Sequence, residues 1–218
     1  MIPNLATNLD GPLPPIYNLL FFDLETGGFS PRNDAILELG AILTNKSATR
    51  VIQTLNLKLT PEPGTEIHAA AAAVNHYDPA IWALESIPLH LGLSQLDALL
   101  AAGPVVIVGH TPFFDWSFLS VVAERNSWYP TNIYGLINTQ DLAPGRLSDI
   151  CDRLHIEIGL RHTALADAAA CRQIYLRSPK TQWGPPIHRV NCWWDNQSDP
   201  SSRIKFRPSP NSLPSRTL

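Results

Sequence analysis

Four carboxylates and one histidine lie in three separated stretches of this 218-residue chain. Asp23 and Glu25 stand in Phe-Phe-Asp-Leu-Glu-Thr-Gly-Gly, Asp115 in Gly-His-Thr-Pro-Phe-Phe-Asp-Trp-Ser-Phe-Leu, and His162 with Asp167 in His-Thr-Ala-Leu-Ala-Asp-Ala. Clustered carboxylate oxygens are what divalent cations need for phosphodiester chemistry. Alternate residues of a strand share a face, so Asp23 and Glu25 point the same way and repel each other unless a cation lies between them. The run Leu19-Leu20-Phe21-Phe22 before them is too apolar for a solvated strand edge. Asp115, set among Phe113, Phe114, Trp116 and Phe118, is either a helix N-cap or a metal ligand, and the first pair favours the ligand. His162 adds a group that exchanges protons near neutral pH. Ala168, Ala169 and Ala170 would let a helix pack closely while aiming Asp167 inward.

Periodicity supplies the elements that must position these groups. Tyr17 to Asp23 reads as a buried strand, broken by Gly27, Gly28, Ser30 and Pro31. Ala35 to Leu43 and Val51 to Leu59 are two further strands, joined by a turn at Asn45 to Ser47, which predicts an antiparallel meander. Helices are predicted over 65–74, 89–101, 113–125, 146–154 and 163–176, with strands over 105–108 and 133–137. That order implies an α/β fold, a mixed five-stranded sheet with helices on its faces. The domain spans 17–178, after an N-terminal arm at 1–16. The tryptophans of 179–199 are costly to leave in water, so that extension is expected to pack on the body. The Pro/Ser-rich, basic stretch 200–218 reads as a disordered tail.

Composition narrows the function classes. Residues 1–176 carry a net charge of −8 and residues 177–218 a net charge of +5. An acidic body is unusual for a reader of duplex DNA, but suits an enzyme whose metal ions supply the positive charge where phosphate sits. The basic end either helps hold a polyanion or is a solvated tail. Three scattered cysteines, Cys151, Cys171 and Cys192, form no disulfide framework and point to a reducing compartment. A transition-metal site at His188 and Cys192 lacks a second ligand pair. No signal peptide or membrane-spanning run is read, and a cytoplasmic protein is the expectation.

Across Tyr17 to Tyr175 the sequence resembles the DnaQ-like exonucleases of the DEDDh type. The resemblance rests on Asp23-Leu24-Glu25-Thr26-Gly27, on Gly109-His110 with Phe114-Asp115 and Phe118-Leu119, and on His162, Ala164, Asp167 and Ala168. Thr-Gly-Gly-Phe and Phe-Phe-Asp are locally similar to ribonuclease T. The resemblance implies a ribonuclease H-like fold and 3′–5′ removal of nucleotides from single strands, DNA favoured over RNA. It implies two Mg²⁺, replaceable by Mn²⁺, held by Asp23, Glu25, Asp115 and Asp167, with His162 as the proton acceptor. Thr26, Gly27, Phe29, His110 and Phe114 would then meet the substrate, the two phenylalanines by stacking on bases or else by belonging to the core. The C-terminal segment could dock a polymerase or DNA-processing complex, and a homodimer is left open. Thr111 departs from the family's asparagine, Val74 from the aromatic of ribonuclease T-like members, and Asn138-Thr139 from the usual Asp-Thr.

Overall fold

The computed structural model describes residues 16–188 together with Pro14. Residues 1–13 of the arm, Cys192, the Trp193-Trp194 pair and the basic tail lie outside the described residues. The first three strands, β1 (Asn18–Thr26), β2 (Ile36–Thr44) and β3 (Val51–Thr60), form the expected antiparallel meander. A two-residue strand, β4 (Ile87–Pro88), lies beside β3 and adds a sixth member to the expected five. Parallel strands β5 (Val105–Gly109) and β6 (Ile133–Asn138) complete the sheet in the order β4-β3-β2-β1-β5-β6.

The helices are α1 (Ala69–Val74), α2 (Pro79–Glu85), α3 (Leu89–Leu100), α4 (Pro112–Asn126), α5 (Thr139–Leu142), α6 (Leu147–Leu154) and α7 (Ala164–Arg177). The helix expected over 65–74 begins only at Ala69. Residues 65–68 are instead drawn out as extended chain, because Glu66 O accepts from Ala35 N at 3.0 Å and His68 N donates to Gly27 O at 2.8 Å. The sequence reading omitted α2. Its signal was present in Asp78-Pro79, since the Asp78 carboxylate accepts the Ala80 N–H at 2.8 Å and Pro79 occupies the first turn. Among the described residues, no helix is long and apolar enough to cross a membrane.

β1 is central and buried on both faces, and each face belongs to a different core. Leu20, Phe22 and Leu24 pack with α3 and α4 residues such as Leu96, Leu99 and Phe118. Leu19 and Phe21 pack on the other side with Ala168, Cys171 and Tyr175 of α7. Burying such side chains stabilises the strand by roughly 1.5–3 kcal/mol each, which offsets part of the cost of the acids that follow. Continuing the alternation places Asp23 and Glu25 on the α7 face.

Past Trp183 the chain returns to the sheet. Leu136 and His188 exchange two backbone hydrogen bonds of 2.8 Å, so the described part of the expected 179–199 extension covers β6, the edge strand.

Gly40 sets how close α7 can come. It lies opposite Asp23 in the β1–β2 register, and a Cβ placed on it would meet the Ala164 carbonyl carbon at 2.2 Å and Leu165 N at 2.3 Å. Both are backbone atoms and cannot swing aside. Gly40→Ala is therefore expected to cost about 1–3 kcal/mol and to push Asp167 away from β1. Urea unfolding would show a lower midpoint, and turnover would fall at temperatures where the variant is still folded.

Candidate active site

β1 pairs with β5 only through Phe21 opposite Val108, yet runs on to Thr26. Its edge is therefore open just where the acids stand. Asp115 fills that opening, with its Oδ1 accepting the N–H of Leu24, between Asp23 and Glu25, at 2.9 Å. Asp115 is buried and sits in the first turn of α4, whose N-cap is Thr111. The N-cap alternative for Asp115 is thus corrected. Its carboxylate ties a helix from one face of the sheet to the strand that presents acids on the other.

From the α7 side come His162 and Asp167. Single ligand atoms of Glu25, His162 and Asp167 all lie within 4.8 Å of one another. Asp167 is half-buried and accepts a hydrogen bond from the His162 backbone, while the His162 side chain is exposed. Asp23 is half-buried beside them. The structure therefore brings together all five residues singled out in the sequence.

A sixth group escaped the sequence reading. Glu38 on β2 lies opposite Glu25 and is buried. Its Oε2 accepts the Ala164 N–H at 3.2 Å, satisfying a free donor in the first turn of α7, where Thr163 makes no side-chain cap. Lys58 stands 3.8 Å from its other oxygen. The available signal was a lone acid in the apolar run Leu37-Glu38-Leu39.

So many acids in one poorly solvated place bind their protons more tightly than free carboxylates do. Burial, then the charges of Asp167, Glu38 and Asp115, push Glu25 up to about 8. Burial raises Asp115 to about 7 against the opposing Leu24 hydrogen bond. Asp23 is raised well above the carboxylate range by burial and then by Asp115, Glu25, Asp167 and Glu38. Asp167 is raised by burial, with His162 and Arg161 opposing. A hard, oxygen-preferring cation fits this donor set, because it supplies the counter-charge that the protein does not.

The expected substrate residues divide in two. Phe29 is 79% exposed and meets Phe114 edge-on at 6.3 Å between ring centres. Phe114 also packs on Phe118 at 5.0 Å, so its ring is anchored to the core. The buried Thr26 hydroxyl donates to Gly28 O at 2.7 Å and shapes the Gly27-Gly28 loop. Asp34 holds the same loop, accepting Ser30 N–H at 2.7 Å and facing His68 Nε2 at 3.2 Å. His110 is half-buried, with Nδ1 2.9 Å from Thr139 Oγ1 and Nε2 3.4 Å from Gln140 Nε2. Burial lowers it to about 4, so at neutral pH it is an uncharged ring held between two protein partners. Thr111 lies in the left-handed region at φ 64°, and its N–H donates to Asn138 Oδ1 at 3.1 Å. Among the described residues His188 pairs with Asp141 at 2.7 Å.

A family model described as exonuclease, of the ribonuclease T type, matches residues 20–175. The chain belongs to this exonuclease family. It is thus a phosphodiester hydrolase, a 3′–5′ exonuclease of the DnaQ/ribonuclease T kind, a family that typically depends on metal ions. It is 27% identical to ribonuclease T of Wigglesworthia glossinidia brevipalpis over 70% of this chain and 80% of the relative. With ribonuclease T of Citrobacter koseri the identity is 29%, over 66% of this chain and 76% of the relative. Among solved structures, E. coli exonuclease I in its zinc-bound complex with single-stranded DNA superposes with a TM-score of 0.68 at 19% identity, over 77% of this chain and 41% of that one. Exonuclease I of Methylocaldum szegediense superposes at 0.64, also at 19% identity, over 75% of this chain and 41% of that one. The chain spans about two fifths of those exonuclease I chains, and the likeness establishes the ribonuclease H-like fold.

Groups with raised folded pKa values stabilise the protein while protonated and lose that contribution as pH climbs through the folded value. In chelator, the melting temperature is expected to fall between about pH 4 and pH 8, the span from ordinary carboxylates to Asp115 and Glu25. Saturating Mg²⁺ should remove most of that fall, and thermal melts with and without chelator check it. Separately, Thr111→Asn is expected to raise unfolding free energy by about 1 kcal/mol, since asparagine tolerates the left-handed conformation better. Denaturant titration reads this directly.

Proposed function

We propose that this chain removes nucleotides one at a time from the 3′ end of single-stranded nucleic acid, DNA in preference to RNA, and releases 5′-mononucleotides. The observation that carries this reading is the convergence of Asp23, Glu25, Asp115, Asp167 and His162 where β1 outruns β5. Asp23, Glu25 and Asp167 would hold one Mg²⁺, and Asp23 with Asp115 a second, with Mn²⁺ acceptable in the same oxygen set. Bound there, such ions supply positive charge for the scissile phosphate and a more acidic water.

The chain's own residues do the rest. His162 takes the proton of the attacking water, because its ring lies within reach of Glu25 and Asp167 and imidazole is the side chain best suited to proton exchange. Its exposure lets the proton pass on to solvent. Phe29 and Phe114 offer ring faces and edges on which terminal bases can stack, which tolerates any base. Thr26, Asp34 and Gly28 hold the loop that presents Phe29. Preference for single-stranded DNA is supported by the shared fold of exonuclease I structures with bound single-stranded DNA. A second reading, trimming of RNA 3′ ends, is favoured by the ribonuclease T relatives.

A panel of 3′-labelled single- and double-stranded DNA and RNA, digested with Mg²⁺, Mn²⁺ or chelator, separates the two. Faster release from single-stranded DNA supports the first reading, and faster release from RNA supports the second. Asp23→Ala and Asp167→Ala should abolish release while the metal-free melting temperature holds or rises, since each removes a repelled charge. His162→Ala should slow release by about 10²–10⁴-fold with metal binding largely spared. Near wild-type digestion by either aspartate variant would refute the assignment.

A further inference from the structure

The proposed proton acceptor sits on a stretch with no regular structure. Residues 155–163 link α6 to α7, and His162 itself lies in the left-handed region at φ 59°. Two nearby contacts brace this stretch: Thr163 Oγ1 donates to Leu160 O at 2.9 Å, and Arg161 pairs with Asp152 at 3.0 Å. The third brace comes from the turn that follows α1. His76 Nε2 lies 3.1 Å from the carbonyl oxygen of Arg161, the residue immediately before His162. A carbonyl oxygen only accepts, so Nε2 carries the hydrogen.

His76 is itself fixed from below. Its neighbour Asn75 is buried, and its Nδ2 donates to Thr26 O at 2.8 Å. Thr26 is the last residue of β1, the strand that carries Asp23 and Glu25. Asn75 and His76 thus join the end of the acid-bearing strand to the backbone that carries His162. His76 does so from a left-handed conformation, φ 55°, although it is not glycine and its side chain is exposed. Non-glycine residues keep such conformations where the surroundings impose them, and these cluster where geometry serves function.

We propose that His76 is a positioning residue for His162: its ring N–H grips the Arg161 carbonyl and sets the distance between His162 and the carboxylates on β1. The proposal rests on the reading of His162 as the proton acceptor. It is built on the Asn75-His76 pair, whose two hydrogen bonds reach Thr26 and Arg161.

The test uses the full chain and release of the terminal nucleotide from a 3′-labelled single-stranded oligodeoxynucleotide with Mg²⁺. His76→Gly removes the ring and accepts the left-handed backbone, so the melting temperature should not fall. kcat should drop roughly 10-fold with KM within about twofold, the mark of a misplaced catalytic group rather than weakened binding. His76→Gln, whose amide can donate to the same carbonyl, should recover most of that rate. In a His162→Ala background, His76→Gly should cost nothing further. Amide hydrogen exchange should quicken in peptides covering 158–163 and stay unchanged in peptides covering the strands of the sheet. An unchanged rate for His76→Gly, or the same loss in both backgrounds, overturns the proposal. If His162→Ala alone digests like the wild type, the reading of His162 fails first and this proposal falls with it.

Discussion

Like charges gathered in a poorly hydrated place repel, and the fold around β1 is organised by that repulsion. Glu25 held up to about 8 and Asp115 up to about 7 show how strongly the place resists ionised acids. Each acid is given a limited answer. Leu24 N–H serves Asp115, Arg161 and His162 ease Asp167, and Lys58 with the Ala164 N–H serves Glu38. None of these neutralises Asp23 and Glu25, which share one face of a strand two residues apart. The remaining imbalance is what a divalent cation relieves, so stability without metal and readiness for metal are two sides of the same electrostatic fact.

The sheet's topology turns this imbalance into a defined site. β1 is wedged between two apolar cores, so its backbone cannot shift to relax the acids. β5 stops short, leaving donors on β1 exposed for a helix-borne carboxylate to take. Gly40 lets α7 rest on β2 directly opposite Asp23, which brings Asp167 within reach of Glu25. Around this rigid floor stand more loosely built walls: the Phe29 loop pinned by Asp34, and the His162 stretch pinned through His76. Rigid placement of the acids and lighter placement of the histidine suit the tasks proposed for them, since ligands hold position while a proton acceptor must also exchange with water.

Much of this was legible in the chain. The strand carrying Asp23 and Glu25 was readable because Leu19 to Phe22 leave no polar face, and the helix carrying Asp167 because its small residues recur. The helix that follows the strand Val105 to Val108, and its Asp115, were readable in type, although the role as N-cap or ligand was not. Residues 65–68 were misread as helix because alanines follow them, whereas the free edge formed by Gly27 and Ala35 recruits them as extended chain. Glu38 went unread because a strand acid looks solvent-facing until the helix end that it caps is in place.

The sequence by itself determined the chemistry: five side chains of the right kinds, in an order and with flanks that place the chain in its exonuclease family. Side-chain type and local periodicity suffice for that, because both are short-range properties. Tertiary structure alone decided the rest. It showed that Asp115 reaches a backbone N–H 91 positions away, that His110 is spoken for by Thr139 and Gln140, and that Asn75 and His76 bridge the first and last motifs. Each of these is a hydrogen bond between segments far apart in the chain, and its existence depends on which strand ends early and which helix can approach.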